Sequence, residues 1–158
     1  MKTYQGHIEK LDFNEVFVFG SNLDGFHGGG AAGYASFNIA GNHWRKFDYA
    51  SKPIGWQGKW NVKGCAEGLQ HGTNGISYAI PTVTKAGMKR SRSLQDIKTS
   101  IEKFYNFAKN NPQYKFFVAQ ENKVGLNGYL PIEMANIFKS HSIPDNVYFQ
   151  EDFAKLLK

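Results

Sequence analysis

Two glycine-rich segments carry the residue types with the greatest capacity for chemistry. In the first, Gly20, Ser21 and Asn22 close an apolar run, and the triple glycine Gly28, Gly29, Gly30 then leads into Ala31. In the second, Val124-Gly-Leu-Asn-Gly-Tyr129, Gly125 and Gly128 bracket Leu126 and Asn127. Glycine admits close approach and φ > 0, so successive backbone N–H groups can converge on a ligand, and a helix opening after such a loop adds its unpaired amides and the positive end of its dipole. That chemistry is anion binding, phosphate above all. The first segment contains no G-x-x-x-x-G-K-[ST], which excludes a P-loop. Gly25-Phe-His-Gly28-Gly-Gly30 is not the dinucleotide fingerprint either, which sets its glycines at the strand-to-helix turn with an acidic residue closing the next strand. Asn22 has two readings, contact with a ligand or a turn in which it bonds its own backbone. Tyr129 likewise either closes over a ribose or packs.

Other reactive types lack companions. Cys65 is the single cysteine, so no intramolecular disulfide forms and a disulfide-stapled secreted scaffold is excluded. Lys63 and Glu67 would pull its thiol in opposite directions, which argues against a nucleophile. His43 and His71 have no metal-ligand partners at a recognised spacing, and no zinc site or cofactor is expected.

The elements that must position the glycine segments can be read from periodicity. Val16 to Phe19 is uniformly apolar and β-rich, as in a strand buried on both faces. Ala31 to Ile39 suits a helix packed closely on a sheet. Residues 41–75 show neither helical nor strand periodicity; Trp44, Trp56 and Trp60 are interleaved with glycines there, as in a functional loop or a satellite cluster around an irregular insertion. Ile76 to Ile80 is a strand expected to stop at Pro81. Ser93-Leu-Gln-Asp opens a helix in a capping-box variant, and Leu94, Ile97, Ile101, Phe104, Phe107 and Ala108 give it one apolar face, ended by Asn110-Asn-Pro112. Tyr114 to Ala119 is the next strand, Pro131 to Ser140 a helix with proline in its first turn, and Val147 to Phe149 a last strand. This alternation predicts an α/β sandwich with a mostly parallel sheet and the site at the C-terminal ends of its strands.

The chain has 158 residues, enough for one domain that buries roughly two-thirds of its unfolded surface. Nineteen Lys and Arg stand against 13 Asp and Glu, and the +6 excess favours anionic partners. The N-terminal residues are polar and no apolar run approaches 18 residues, so neither a targeting segment nor a membrane span is expected and a cytoplasmic location is.

Phe19-Gly-Ser-Asn22, His27-Gly-Gly-Gly-Ala-Ala32, Ser77-Tyr-Ala-Ile-Pro-Thr82 and Val124-Gly-Leu-Asn-Gly-Tyr129 together resemble the macrodomain superfamily, and more closely its small macrodomain-like members often found in phage and bacterial genomes. The resemblance covers nearly the whole chain apart from the tryptophan insertion. It implies a three-layer α/β/α sandwich binding ADP-ribose or a related nucleotide derivative across the two loops, with hydrolysis or sequestration as the outcome. Gly20, Ser21, Asn22 and Thr82 fall in its motifs, Asn22 matching the asparagine that contacts the distal ribose. Gly28, Gly29, Gly30 and Ala31 match the loop flanking the diphosphate and that ribose. Val124, Gly125, Leu126, Asn127, Gly128 and Tyr129 match the phosphate-gripping loop, and Phe149 the aromatic that packs on adenine. The chain departs from the family in lacking the Gly-Asp-Ile segment whose aspartate reads the adenine amino group, for which Asp12 and Asn14 are weak substitutes. It also carries Ser36-Phe-Asn-Ile-Ala40 where glycohydrolases place a glutamate pair, which argues against that acid route. Asp24 and His27 are the remaining candidates to orient a water at the anomeric carbon, although Asp24 before Gly25 also reads as a turn residue.

The rival class is nucleic acid. Lys85-Ala-Gly-Met-Lys-Arg-Ser-Arg92 reads either as solvated surface, as most such runs are, or as a mobile basic loop able to hold RNA or single-stranded DNA phosphates, with the tryptophans of the insertion available for stacking.

Overall fold

The computed structural model describes residues 1–8, 10–25, 31, 66–71 and 75–158. Within them a six-stranded sheet runs in the order β1 (Lys2–Tyr4), β6 (Val147–Gln150), β5 (Lys115–Val118), β2 (Glu15–Asn22), β4 (Ile76–Val83), β3 (Gly68–His71). Every neighbouring pair is parallel except β3 against β4. Three α-helices accompany it among the described residues: α1 (Leu94–Asn110), α2 (Pro131–Phe138) and the short α3 (Glu151–Ala154). The expected α/β class and mostly parallel sheet are what forms.

Strand alternation sends side chains to two different environments. From β2, Val16 and Val18 enter the larger core, where Phe116 of β5, Phe149 of β6 and Tyr78 of β4 meet Ile97, Ile101 and Phe104 of α1. Phe17 and Phe19 point the other way, joining Ala79 in a smaller cluster against Ile8, Leu11, Ala31 and Ala119. The uniformly apolar run from Val16 to Phe19 is therefore buried on both faces, as its composition requires.

Helix α1 follows its sequence signals closely. The Ser93 hydroxyl accepts from the Asp96 amide at 3.1 Å, and Ile97, Ile101, Phe104 and Ala108 are buried at the expected spacing. Its C-terminus is tied down by Asn146, whose side-chain amide donates to the carbonyls of Ala108, Asn111 and Tyr114. The end of α1, the start of β5 and the approach to β6 thus share one polar knot.

Several expectations are corrected. Strand β4 does not stop at Pro81 but continues to Val83. Among the described residues β3 pairs only as far as Ala79, so no strand among them faces Pro81 on that side and a missing N–H is tolerated. Gly68 to His71, assigned above to the irregular insertion, is strand β3; its residues do not alternate, and the pairing edge of β4 organises them. Strand β2 extends beyond Phe19 to include Gly20, Ser21 and Asn22. β1 and α3 carry too few residues to show a period. Of the helix expected over Ala31 to Ile39 only Ala31 is described, and it is helical. Trp44, Trp56, Trp60 and Cys65 lie outside the described residues, as does most of the insertion.

Candidate functional site

Strand order fixes where a ligand crevice should open. From β2 the chain moves on to β3 and β4 on one side, whereas from β5 it moves to β6 on the other, and β2 and β5 are neighbours. Onward connections that diverge from adjacent parallel strands leave a crevice beyond the carboxyl ends of those strands. The two glycine-rich segments follow these two strands.

At the β2 exit, Ser21 and Asn22 are buried and Gly20 is exposed. A Cβ on Gly20 would lie 3.1 Å from Thr82 Oγ1, so glycine lets the ends of β2 and β4 come together here. Thr82 is itself buried, and the Ser21 hydroxyl donates to the Ala66 carbonyl. The pairing continues past the strands, with the Leu23 amide donating to the Val83 carbonyl at 3.2 Å. The chain then reverses in a turn closed by the Gly25 amide on the Asn22 carbonyl at 3.1 Å, with Gly25 at φ 68°. Asp24 sits exposed inside that turn. The geometry is that of the Asp-Gly turn. His27, Gly28, Gly29 and Gly30 lie outside the described residues, and Ala31 packs against the Phe17 and Phe19 cluster.

The β5 exit is built differently. Gly125 to Gly128 forms a tight turn, with the Gly128 amide donating to the Gly125 carbonyl at 3.1 Å and Gly128 at φ 80°. The Asn127 side-chain oxygen accepts from the Tyr129 amide at 2.9 Å, an Asx arrangement that fixes the turn from within. Among the described residues nothing accepts from the amides of Val124, Gly125 or Leu126. The side chains of Val124 and Leu126 are 51% and 67% exposed, so this stretch offers unpaired backbone donors on an open surface.

Behind the turn stands a polar brace. The Arg90 guanidinium meets both oxygens of Glu133 at 3.0 Å, donates to the Gly128 carbonyl at 3.3 Å and lies 4.5 Å above the Tyr129 ring. Its backbone amide donates to the Asn127 carbonyl at 2.7 Å. Glu133 also accepts from the Leu130 amide at 2.9 Å, which caps the first turn of α2. Hydrogen bonding from Arg90 and then from the Leu130 amide holds the Glu133 carboxyl below its ordinary range. Arg92 donates to the Pro81 carbonyl and to Ser100 Oγ, anchoring the same loop on β4 and α1.

Three residues named for ligand contact have side chains engaged by the protein itself. Phe149 is 0% exposed, its ring packed against Phe138 and Phe153. Tyr129 is 5% exposed and donates to the Arg92 carbonyl, which decides for packing. The Asn127 side chain is committed to the Tyr129 amide and to Met134 Sδ. The dipole end of α2 is likewise answered by Glu133 rather than left for an anion.

The basic loop is no free polycation. Arg90 and Arg92 are engaged by protein groups, so of its four cations Lys85 and Lys89 remain without a protein partner among the described residues. Arg90 and Glu133 are the residues that sequence reasoning missed. Glu133 stands three positions after Leu130 ahead of an apolar helix, a spacing that signals a capped start. Nothing local marks Arg90.

Comparison with protein-family models, with curated proteins and with solved structures returned no match. Among the described residues no helix is long and apolar enough to cross a membrane, and no group of three His, Cys, Asp or Glu side chains is placed to hold a metal ion.

Proposed function

We propose that the chain is a macrodomain-like protein that binds ADP-ribose or a related nucleotide derivative in the crevice between the β2 and β5 exits. One observation carries this reading: the two glycine-rich segments follow the two adjacent parallel strands whose onward connections diverge, the place where such sheets hold ligands. The unpaired amides of Val124, Gly125 and Leu126 supply neutral donors for a diphosphate, and Asn22, at the end of β2, lies where the resemblance puts the distal ribose. The proposed three-layer arrangement is supported by the burial of Phe17 and Phe19 on the sheet face away from α1. Binding is the function proposed, and bond cleavage is left to measurement.

The test is a calorimetric titration with ADP-ribose and, separately, with a single-stranded oligonucleotide at two salt concentrations, followed by an assay for turnover of ADP-ribosylated protein. Saturable one-to-one binding of ADP-ribose with a shallow salt dependence is expected, because backbone amides release few counterions. Tight, steeply salt-dependent oligonucleotide binding without an ADP-ribose signal would replace this reading with the nucleic-acid one.

A further inference from the structure

We propose that Arg90 is a positioning residue, holding the Gly125–Gly128 turn in the shape that presents the amides of Val124, Gly125 and Leu126. The consequence for binding rests on the nucleotide reading above; the ordering of the turn does not.

Arg90 is the only non-glycine residue with positive φ among the described residues, at 54°. An L-residue in that region is strained and persists where its surroundings over-determine it. Here they do so from both ends. The backbone amide donates to Asn127, and the side chain reaches Gly128, Glu133 and the Tyr129 face. The residues it touches run through the turn into α2, while Arg92 two positions on is fixed to β4 and α1. The loop after β4 thus braces the loop after β5. Gly128 fits the same contact, since a Cβ there would come within 2.8 Å of Lys89 Cβ. The bidentate fork of arginine satisfies a carboxylate and a carbonyl together, which the single ammonium of lysine does not reproduce.

The discriminating variant is Arg90→Gly, which removes the side chain and leaves a residue at ease with φ 54°, so the backbone bond to Asn127 can persist. Amide hydrogen exchange is read at Gly128 and Tyr129, whose N–H groups are bonded within the turn, and at Phe104 in the core as a control for global opening. The expected result is exchange faster by about tenfold or more at the two turn amides with Phe104 unchanged. The ADP-ribose dissociation constant should rise by about tenfold, because an unordered loop must be ordered on binding. Arg90→Lys, which keeps the charge and loses the fork, should behave like Arg90→Gly.

Unchanged exchange at Gly128 and Tyr129 in Arg90→Gly would overturn the role outright. Faster exchange with parental ADP-ribose affinity would overturn the consequence for binding. Parental behaviour of Arg90→Lys would show that charge alone suffices and overturn the fork argument. If the parent protein fails to bind ADP-ribose, the nucleotide reading falls, and the exchange data alone decide whether Arg90 orders the turn.

Discussion

The loop after β4 and the loop after β5 lie against each other, yet they spend their polar groups in opposite ways. The first is rich in formal charge, but Arg90 and Arg92 are taken up by carbonyls, a hydroxyl and Glu133 of the protein itself. The second carries only the Glu121 and Lys123 pair near its start, and it leaves three backbone amides with no acceptor among the described residues. Charge in a sequence therefore shows where cations stand, not whom they serve. Neutral donors on a glycine turn can serve as an anion site because the turn already holds them in place and they lose no side-chain freedom on binding.

The sharpest way to break this contrast is to place a charge on the second loop. Gly125 has no positive φ and open space where a Cβ would stand. Gly125→Glu should fold normally by circular dichroism and lose ADP-ribose binding altogether, through repulsion of the diphosphate. A folded variant that binds like the parent would remove this loop from the phosphate site.

Asn22→Ala probes the other arm of the crevice. Truncating a hydrogen-bonding partner typically costs about 1–3 kcal/mol, which is roughly five- to a hundred-fold in affinity for ADP-ribose. AMP, lacking the distal ribose, should lose much less. Equal losses for the two ligands would assign Asn22 to shaping the β2 exit, whose turn its carbonyl already closes.

Gly128→Ala tests the contact between the loops. Its φ of 80° and the 2.8 Å approach to Lys89 Cβ both oppose a side chain. A loss of about 1–3 kcal/mol in denaturant unfolding is expected for such strain. No change would mean that the loops can part at little cost.

The smallest effect is expected from the double substitution Lys85→Ala, Lys89→Ala. ADP-ribose affinity should hardly change. Were the basic loop a single-strand site, the slope of log affinity against log salt would fall by roughly 1.4 units on losing two phosphate contacts. Oligonucleotide titrations of parent and variant across salt distinguish the two.

How much was legible follows from the range of the forces involved. Residues that decide structure locally announced themselves: the Ser93 cap, the apolar face from Ile97 to Ala108, Pro131 opening α2, and the doubly buried Val16 to Phe19. Edge strands did not, because β1 and β3 are short and take their conformation from β6 and β4. At the candidate site, the glycine spacing was visible, and so was its position after strands. Least legible were the environments of aromatic and amide side chains. Phe149, Tyr129 and Asn127 are types equally at home against a ligand or against the protein, and only distant partners such as Phe138, Arg92 and Met134 decide between the two.

The pairing of β1 with β6 has a consequence for how the protein is made. Lys2 to Tyr4 find their partners at Tyr148 to Gln150, with every other strand of the sheet between them in sequence. On a nascent chain β1 therefore has no seat until β6 has emerged. A product released before residue 147 would lack β6, leaving Lys2 to Tyr4 without a seat and one side of β5 unpaired. Chains that stop short of β6 should thus present open strand edges, so the order of the sheet makes synthesis through β6 a condition for escaping aggregation.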